Sequence, residues 1–152
     1  MMLFLLLRLG SERYALDVRR IVEVVPMVRC RPLAHTPPWV AGTFDYRGTL
    51  VPVIDLCRLT GASPCRGLYT TRIVLVDHTT ADGGSRILGL LAEQVTETVK
   101  LDPAGFEDAG VCAPEAPYLG GLARQDAALI QRIDIDRLLP DDVQRLLFAE
   151  CA

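Results

Sequence analysis

The segment from Gly42 to Leu59 recurs without a gap 79 positions later, between Gly121 and Leu138. Laying Gly42 on Gly121 aligns Leu50 with Leu129, Ile54 with Ile133, Asp55 with Asp134, Arg58 with Arg137 and Leu59 with Leu138. A glycine turn, an apolar strand and a strand-ending aspartate that share one offset describe a β unit present twice. A shorter match in the same order sets Ala15-Leu16 and Ile21 to Val25 against Gly89-Leu90 and Val95 to Val99, at an offset of 74. Two like β modules are therefore expected.

The chain of 152 residues is 50% hydrophobic. A chain of that size buries roughly two thirds of the surface its unfolded state exposes, enough for a core without metal or disulfide support. Sixteen basic residues against nineteen acidic ones give a formal charge of -3, and no basic run occurs. That argues against nucleic acid as a partner. The apolar start, Met1 to Leu9, has no basic leader and no small-residue cleavage site, and it is interrupted by Arg8. It is far shorter than the ~20 apolar residues that span a bilayer. It reads as a buried first strand of a cytoplasmic protein without direct membrane insertion.

Strands are expected at Leu3 to Leu9, Arg13 to Asp17, Ile21 to Val25, Thr49 to Leu56, Thr71 to Asp77, Arg86 to Ala92 and Glu93 to Leu101. The last of these alternates Val95, Val99 and Leu101 against Gln94, Thr96, Thr98 and Lys100, the pattern of a strand with one wet face. Prolines at 26, 32, 37 and 38 make residues 26–39 an extended connection, and Pro52 suggests an edge position or a bulge. Leu56 to Thr60 suits a short helical turn, and residues 102–117 form a long loop. In the tail, Leu138, Leu139, Val143, Leu146 and Leu147 fall at helical spacing behind Pro140, with Asp141 and Asp142 at the positive end of the dipole. The sum is a mostly β protein of small barrels with one short C-terminal helix.

Little points to bond-making chemistry. His35 and His78 lie in expected loops without a positioned partner. Asp134 and Asp136 read as a solvated strand end. Cysteines at 30, 57, 65, 112 and 151 show no C-x-x-C pair and no neighbouring histidine, so neither a zinc site nor a regular disulfide framework follows from the spacing. Cys57 is expected as a small core residue and Cys151 as an exposed one. No cofactor, metal or catalytic residue is assigned. The polar constellation that does stand out is Glu23, Gly42, Asp45, Arg47 and Gly48 around one turn. Glycines at 42 and 48 allow positive φ or a close backbone approach, and Arg47 at the tip carries a planar fork suited to carboxylate or carbonyl partners. The plainer reading of Arg47 is an exposed ion pair with Glu23, worth about 0–1 kcal/mol.

Together, Phe4-x-Leu6, Tyr14 to Asp17, Val22 to Val25, the Pro37, Val40 and Gly42 spacing and above all Arg47-Gly-x-x-Val-Pro-Val-Ile-Asp-Leu56 resemble the CheW-like adaptor domain. The resemblance covers nearly the whole chain. It implies two packed five-stranded SH3-like β-barrel subdomains, approximately 15–68 and 69–138, with N-terminal strands shared and a helix over 139–150. It also implies a scaffold that couples the cytoplasmic tip of methyl-accepting chemoreceptors to the regulatory domain of a CheA-type histidine kinase. Glu23 and Arg47 correspond to coupling positions, with Ile21, Val22, Gly42 and Gly48 near the receptor-facing groove. The family's usual Asn-Leu before Arg-Gly is Asp45-Tyr46 here. Residues 90–98, 116–120 and 139–148 look like adaptors of the Wsp surface-sensing branch, which ends in a cyclic-di-GMP synthase. Rivals of other classes are an enzyme using the thiol of Cys30 or Cys57 and a β-barrel binder of a small ligand; bulky Val, Leu and Ile in the repeat oppose the latter.

Overall fold

The computed structural model describes residues 1–61, 63–80, 82–108 and 116–148. These residues form nine strands, β1 (Met2–Leu9), β2 (Glu12–Asp17), β3 (Ile21–Pro26), β4 (Val40–Tyr46), β5 (Thr49–Asp55), β6 (Arg72–Thr79), β7 (Ser85–Leu101), β8 (Leu119–Gln125) and β9 (Ala128–Ile133), with α1 (Leu56–Thr60) after β5 and α2 (Asp141–Phe148) after β9. The fold is mostly β, built from two SH3-like modules of five strands each.

β7 belongs to both modules. Its first half, through Ala92, pairs antiparallel with β6, and over Gly89 to Leu91 it also pairs parallel with β5. Its second half, from Glu93, pairs antiparallel with β1. The crossing falls at Gln94, whose φ is 49, and at a register shift in the β1 ladder. A side chain at positive φ bends the strand out of one sheet and into the other. The two expected strands, 86–92 and 93–101, are thus one strand of 17 residues. Module one holds β3, β6, the first half of β7, β5 and β4; module two holds the second half of β7, β1, β2, β9 and β8. Sheet membership therefore does not divide at the expected 68/69 boundary, because β6 and half of β7 complete the module begun by β3 to β5.

The duplication read in the sequence reappears in the pairing. Parallel pairing joins Val53 to Gly89 in one module and Arg132 to Ala15 in the other, positions related by the offsets of 79 and 74. In each module an isolated bridge crosses the residue after the glycine, Arg31 with Thr43 and Glu107 with Leu122. In each, the strand-ending aspartate caps the helical turn behind it: Asp55 accepts from the Arg58 amide at 3.1 Å and Asp134 from the Asp136 amide at 3.2 Å. Pro52 is accommodated because the parallel ladder of β5 with β7 begins only at Val53, one residue later. The bulge of this hairpin lies in β4 instead, between Val40 and Gly42.

β1 explains its unbroken apolar run by facing two cores. Leu5, Leu7 and Leu9 join the large cluster that includes Ile54, Ile73, Leu75, Leu88 and Leu138, whereas Phe4 and Leu6 pack with Ala15, Leu101 and Ile130. Val143 of α2 is buried in the large cluster, so the helix is docked by its apolar stripe. Leucines and valines fully withdrawn from water contribute about 1.5–3 kcal/mol each, and among the described residues they outnumber the buried polar residues Asp17, Asp55, Thr71, His78 and Glu93. Among the described residues no helix is long and apolar enough to cross a membrane.

Candidate functional site

The β4–β5 hairpin closes on Arg47 and Gly48, since Tyr46 stands opposite Thr49. Both turn residues have positive φ, 50 and 86. This is the two-residue turn whose twist matches the flanking strands, and it favours glycine at its second place. Asp45 closes the turn by accepting a hydrogen bond from the Gly48 amide at 2.7 Å. The second module repeats the device with Asp126 and Ala127, at φ 50 and 64.

β3 brings Glu23 against this turn. Its carboxylate accepts the Tyr46 hydroxyl at 2.7 Å through Oε2 and the Arg47 guanidinium at 3.1 Å through Oε1. The guanidinium also lies 5.2 Å from the centre of the Tyr46 ring. The Tyr46 phenol is held above its ordinary pKa, chiefly because it donates a hydrogen bond to the Glu23 carboxylate and further by desolvation and the Glu23 charge, with Arg47 opposing. The phenol therefore stays protonated and the three side chains form one unit. The Arg47 side chain nevertheless remains 75% exposed and Glu23 36%. At that exposure the ion pair contributes at most about 1 kcal/mol, so the unit presents an oriented charge and an aromatic ring to solvent rather than stabilising the fold.

The same strands also expose apolar side chains. Val22 and Val24 on β3 and Leu50, opposite Asp45 in the hairpin, are large exposed side chains, Leu50 at 72%. Among the described residues β3 pairs only with β6 and so forms an edge. An edge strand with exposed apolar and charged groups is suited to protein contact.

The structure thus brings Glu23, Asp45, Arg47 and Gly48 together, with Ile21 and Val22 at the start of the same edge strand. Gly42 is elsewhere. It sits at φ 137 with a Cβ position filled by the Arg31 carbonyl and 3.2 Å from Cys30 Cβ, so its surroundings are this chain's own backbone. Tyr46 and Leu50 join the site without having been expected in it. The aromatic at 46 is visible only as a departure from the family pattern, and Leu50 shares its strand face with Ile54, which is buried, so alternation does not mark it as exposed.

Three expectations are corrected. His78 is no loop residue but lies in β6, fully buried, with neither ring nitrogen hydrogen-bonded, and stacks on Phe148 at 5.6 Å. Burial depresses its pKa, Arg20 adding to the effect and Asp136 opposing it. Asp136 is not merely a solvated strand end, because it pairs with Arg20 at 2.6 Å and accepts from the Thr79 amide at 3.1 Å. These contacts, the Arg20 hydrogen bond foremost, bring its carboxyl to about 2. Cys57 is buried as expected but forms a disulfide with Cys65 that the spacing did not suggest. Cys112 and Cys151 lie outside the described residues.

Among the described residues the donor atoms of Asp55, Cys57 and Cys65 lie within 4.8 Å of one another. With the two sulfurs joined, this group offers a cation one carboxylate, which does not make a metal site. His78 has no hydroxyl or thiol hydrogen-bonded to it, and His35 is exposed in the 26–39 connection. Neither supplies the nucleophile–base pair that acyl or phosphoryl chemistry needs.

Comparison with known proteins matches residues 3–143 to the CheW-like domain. The chemotaxis protein CheW of Klebsiella aerogenes is 27% identical over 146 residues, covering 95% of this chain and 85% of its own length. Protein PilI of Pseudomonas aeruginosa is 32% identical over a shorter stretch of 73 residues, 47% of this chain and 40% of its own. The crystal structure of the scaffolding protein TtCheW from Thermoanaerobacter tengcongensis superposes with a TM-score of 0.80 at 26% identity, covering 91% of this chain and 88% of that one.

Proposed function

Because the chain belongs to the CheW-like domain family, we propose that it is a non-catalytic scaffold that couples the cytoplasmic tip of methyl-accepting chemoreceptors to the regulatory domain of a CheA-type histidine kinase. The observation that carries this reading is the family match across 3–143, together with a superposition that spans both modules. The work is positioning: the scaffold holds two partners in register and biases the kinase between two states by binding one of them better. No bond is made or broken.

The Glu23–Tyr46–Arg47 unit supports a partner-binding role for Glu23, Asp45, Arg47 and Gly48, with Ile21 and Val22 beside them. A guanidinium oriented by a carboxylate and a ring loses little freedom on binding, and Val22, Val24 and Leu50 add exposed apolar side chains on the strands that carry the unit. The scaffold works in the cytoplasm, at receptor arrays. Whether it serves chemotaxis or a Wsp-type pathway controlling cyclic-di-GMP synthesis depends on which receptor and kinase it holds.

The test is Arg47→Asp. Aspartate tolerates the positive φ of this position, so unfolding should shift by less than about 1 kcal/mol. Pull-down of reconstituted receptor fragment and kinase regulatory domain should weaken. Equal recovery of both partners by wild type and variant would remove this surface from the coupling function.

A further inference from the structure

Cys57 stands in α1 and Cys65 in the segment that leads from α1 to β6, eight residues apart with their Cα atoms 5.3 Å from each other. That separation is in the range a disulfide requires. What distinguishes the pair is that its geometry is held by bonds in which sulfur takes no part. Asp55 accepts from the Cys65 amide at 3.1 Å and from the Arg58 amide at 3.1 Å, so one buried carboxylate anchors both α1 and the segment facing it. Glu93, also buried, accepts from the Arg66 amide at 3.3 Å and the Arg66 guanidinium at 2.7 Å. The sulfurs are therefore kept adjacent whether or not they are bonded.

Each sulfur also has an acceptor of its own. Cys57 Sγ lies 3.8 Å from Glu93 Oε2, and Cys65 Sγ lies 3.4 Å from the Leu91 carbonyl. A disulfide has no hydrogen to donate to these oxygens, whereas two thiols have one for each. The pocket thus satisfies the reduced form as well as it encloses the oxidised one. An open cleft of about 600 Å³, lined by Tyr14, Cys57, Thr60, Ser63, Arg66 and Glu93, reaches Cys57.

We propose that Cys57 and Cys65 are a reversible thiol–disulfide couple, exchanging with small disulfides and thiols that enter this cleft and attack or are attacked at Cys57. In oxidation, the Cys57 thiolate displaces one thiolate from a small disulfide and forms a mixed disulfide. The Cys65 thiolate then attacks the Cys57 sulfur and expels the second. Two protein thiols are oxidised, one small disulfide is reduced to two small thiols, and the two protons pass to the leaving groups. The bond fastens the start of the segment that carries Leu68 and Tyr69, both exposed beside Met27 and Val28. Reduction frees Thr60, Gly61, Ser63 and Pro64 to open locally while Asp55 and Glu93 keep the pair in place.

The experiment equilibrates the full chain in oxidised and reduced glutathione at graded ratios, quenches by alkylation and maps the linked peptides by mass spectrometry. The expected result is one two-electron transition confined to the Cys57–Cys65 link, reversible from both directions. Faster amide exchange between 58 and 68 should accompany the reduced form. Cys57→Ser and, separately, Cys65→Ser should each abolish the link without lowering the yield of folded protein, while Cys30→Ser leaves it intact. Complete alkylation of both cysteines in the most oxidising buffer would overturn the proposal. So would a link that excess reduced glutathione cannot open in the native chain. One equivalent of zinc retained by the reduced protein and blocking both thiols would make the site a metal centre and overturn it as well. These outcomes do not involve receptor or kinase, so they stand apart from the coupling function.

Discussion

Gly42→Ala tests whether the glycine shared by the two modules is there for close approach of backbone or only for a turn. A Cβ at Gly42 meets the Arg31 carbonyl oxygen, lies 2.7 Å from the Arg31 carbonyl carbon, and occupies a residue with φ 137. Holding an L-residue in that region costs about 1–3 kcal/mol. Relieving the contact means moving the 26–39 connection, which Arg31 ties to β4 by amide–carbonyl bonds with Thr43 of 2.7 and 2.9 Å. Losing those adds about 0.5–1.5 kcal/mol for each bond, so the total is about 2–6 kcal/mol. For a chain of this length each kcal/mol moves the melting midpoint by about 2–4 °C. The assay is thermal and urea unfolding followed by circular dichroism, with Gly48→Ala as the control. Gly48 also has positive φ, 86, but nothing lies within 4 Å of its Cβ position, so its substitution carries only the backbone cost of ~1–2 kcal/mol. A Gly42→Ala midpoint no lower than that of Gly48→Ala would refute the account of a filled Cβ site.

The turn of the second module provides a converse test: Ala127→Gly removes a side chain from φ 64 and should raise stability by about 0.5–1 kcal/mol in urea unfolding. His78 has a depressed pKa, so the unfolded chain binds its proton first and stability falls as pH drops below ~6.5. His78→Leu should flatten unfolding midpoints measured between pH 7 and pH 5, and an unchanged slope would count against this role. Asp136 is also depressed, to about 2, but as a carboxylate it contributes above its unfolded value and loses that contribution as pH falls toward 2. Because its side chain is 39% exposed, screening reduces the effect to roughly 1 kcal/mol. Asp136→Asn should remove it at pH 6 and change little at pH 2.

Strands β1, β2, β3, β5 and β6, both parts of β7, and helices α1 and α2 were legible because each rests on a short-range pattern. Period two between Val95 and Leu101, a glycine after Arg47 and helical spacing from Leu138 to Leu147 need no knowledge of distant residues. At the candidate site, Arg47 and Glu23 were identified from charge at a turn and from resemblance to the CheW-like domain. Tyr46 was not, because its hydroxyl acquires a role only when β3 stands beside the turn. His78 was misread for a related reason: a histidine near a run of threonines and glycines has the composition of a loop, and only the packing of Phe148 against β6 shows that it is interior.

What the chain determined by itself is the unit and its repetition, since alternation, turn residues and capping aspartates act over a few residues and are written twice at one offset. Tertiary structure decided how the units share strands. It carried β7 from one sheet to the other at Gln94 and brought Cys65 to Cys57, Arg31 to Gly42 and Arg20 to Asp136. The last pair is separated by 116 residues. Such contacts depend on chain segments meeting after loop closure, and no local periodicity encodes which distant group will arrive.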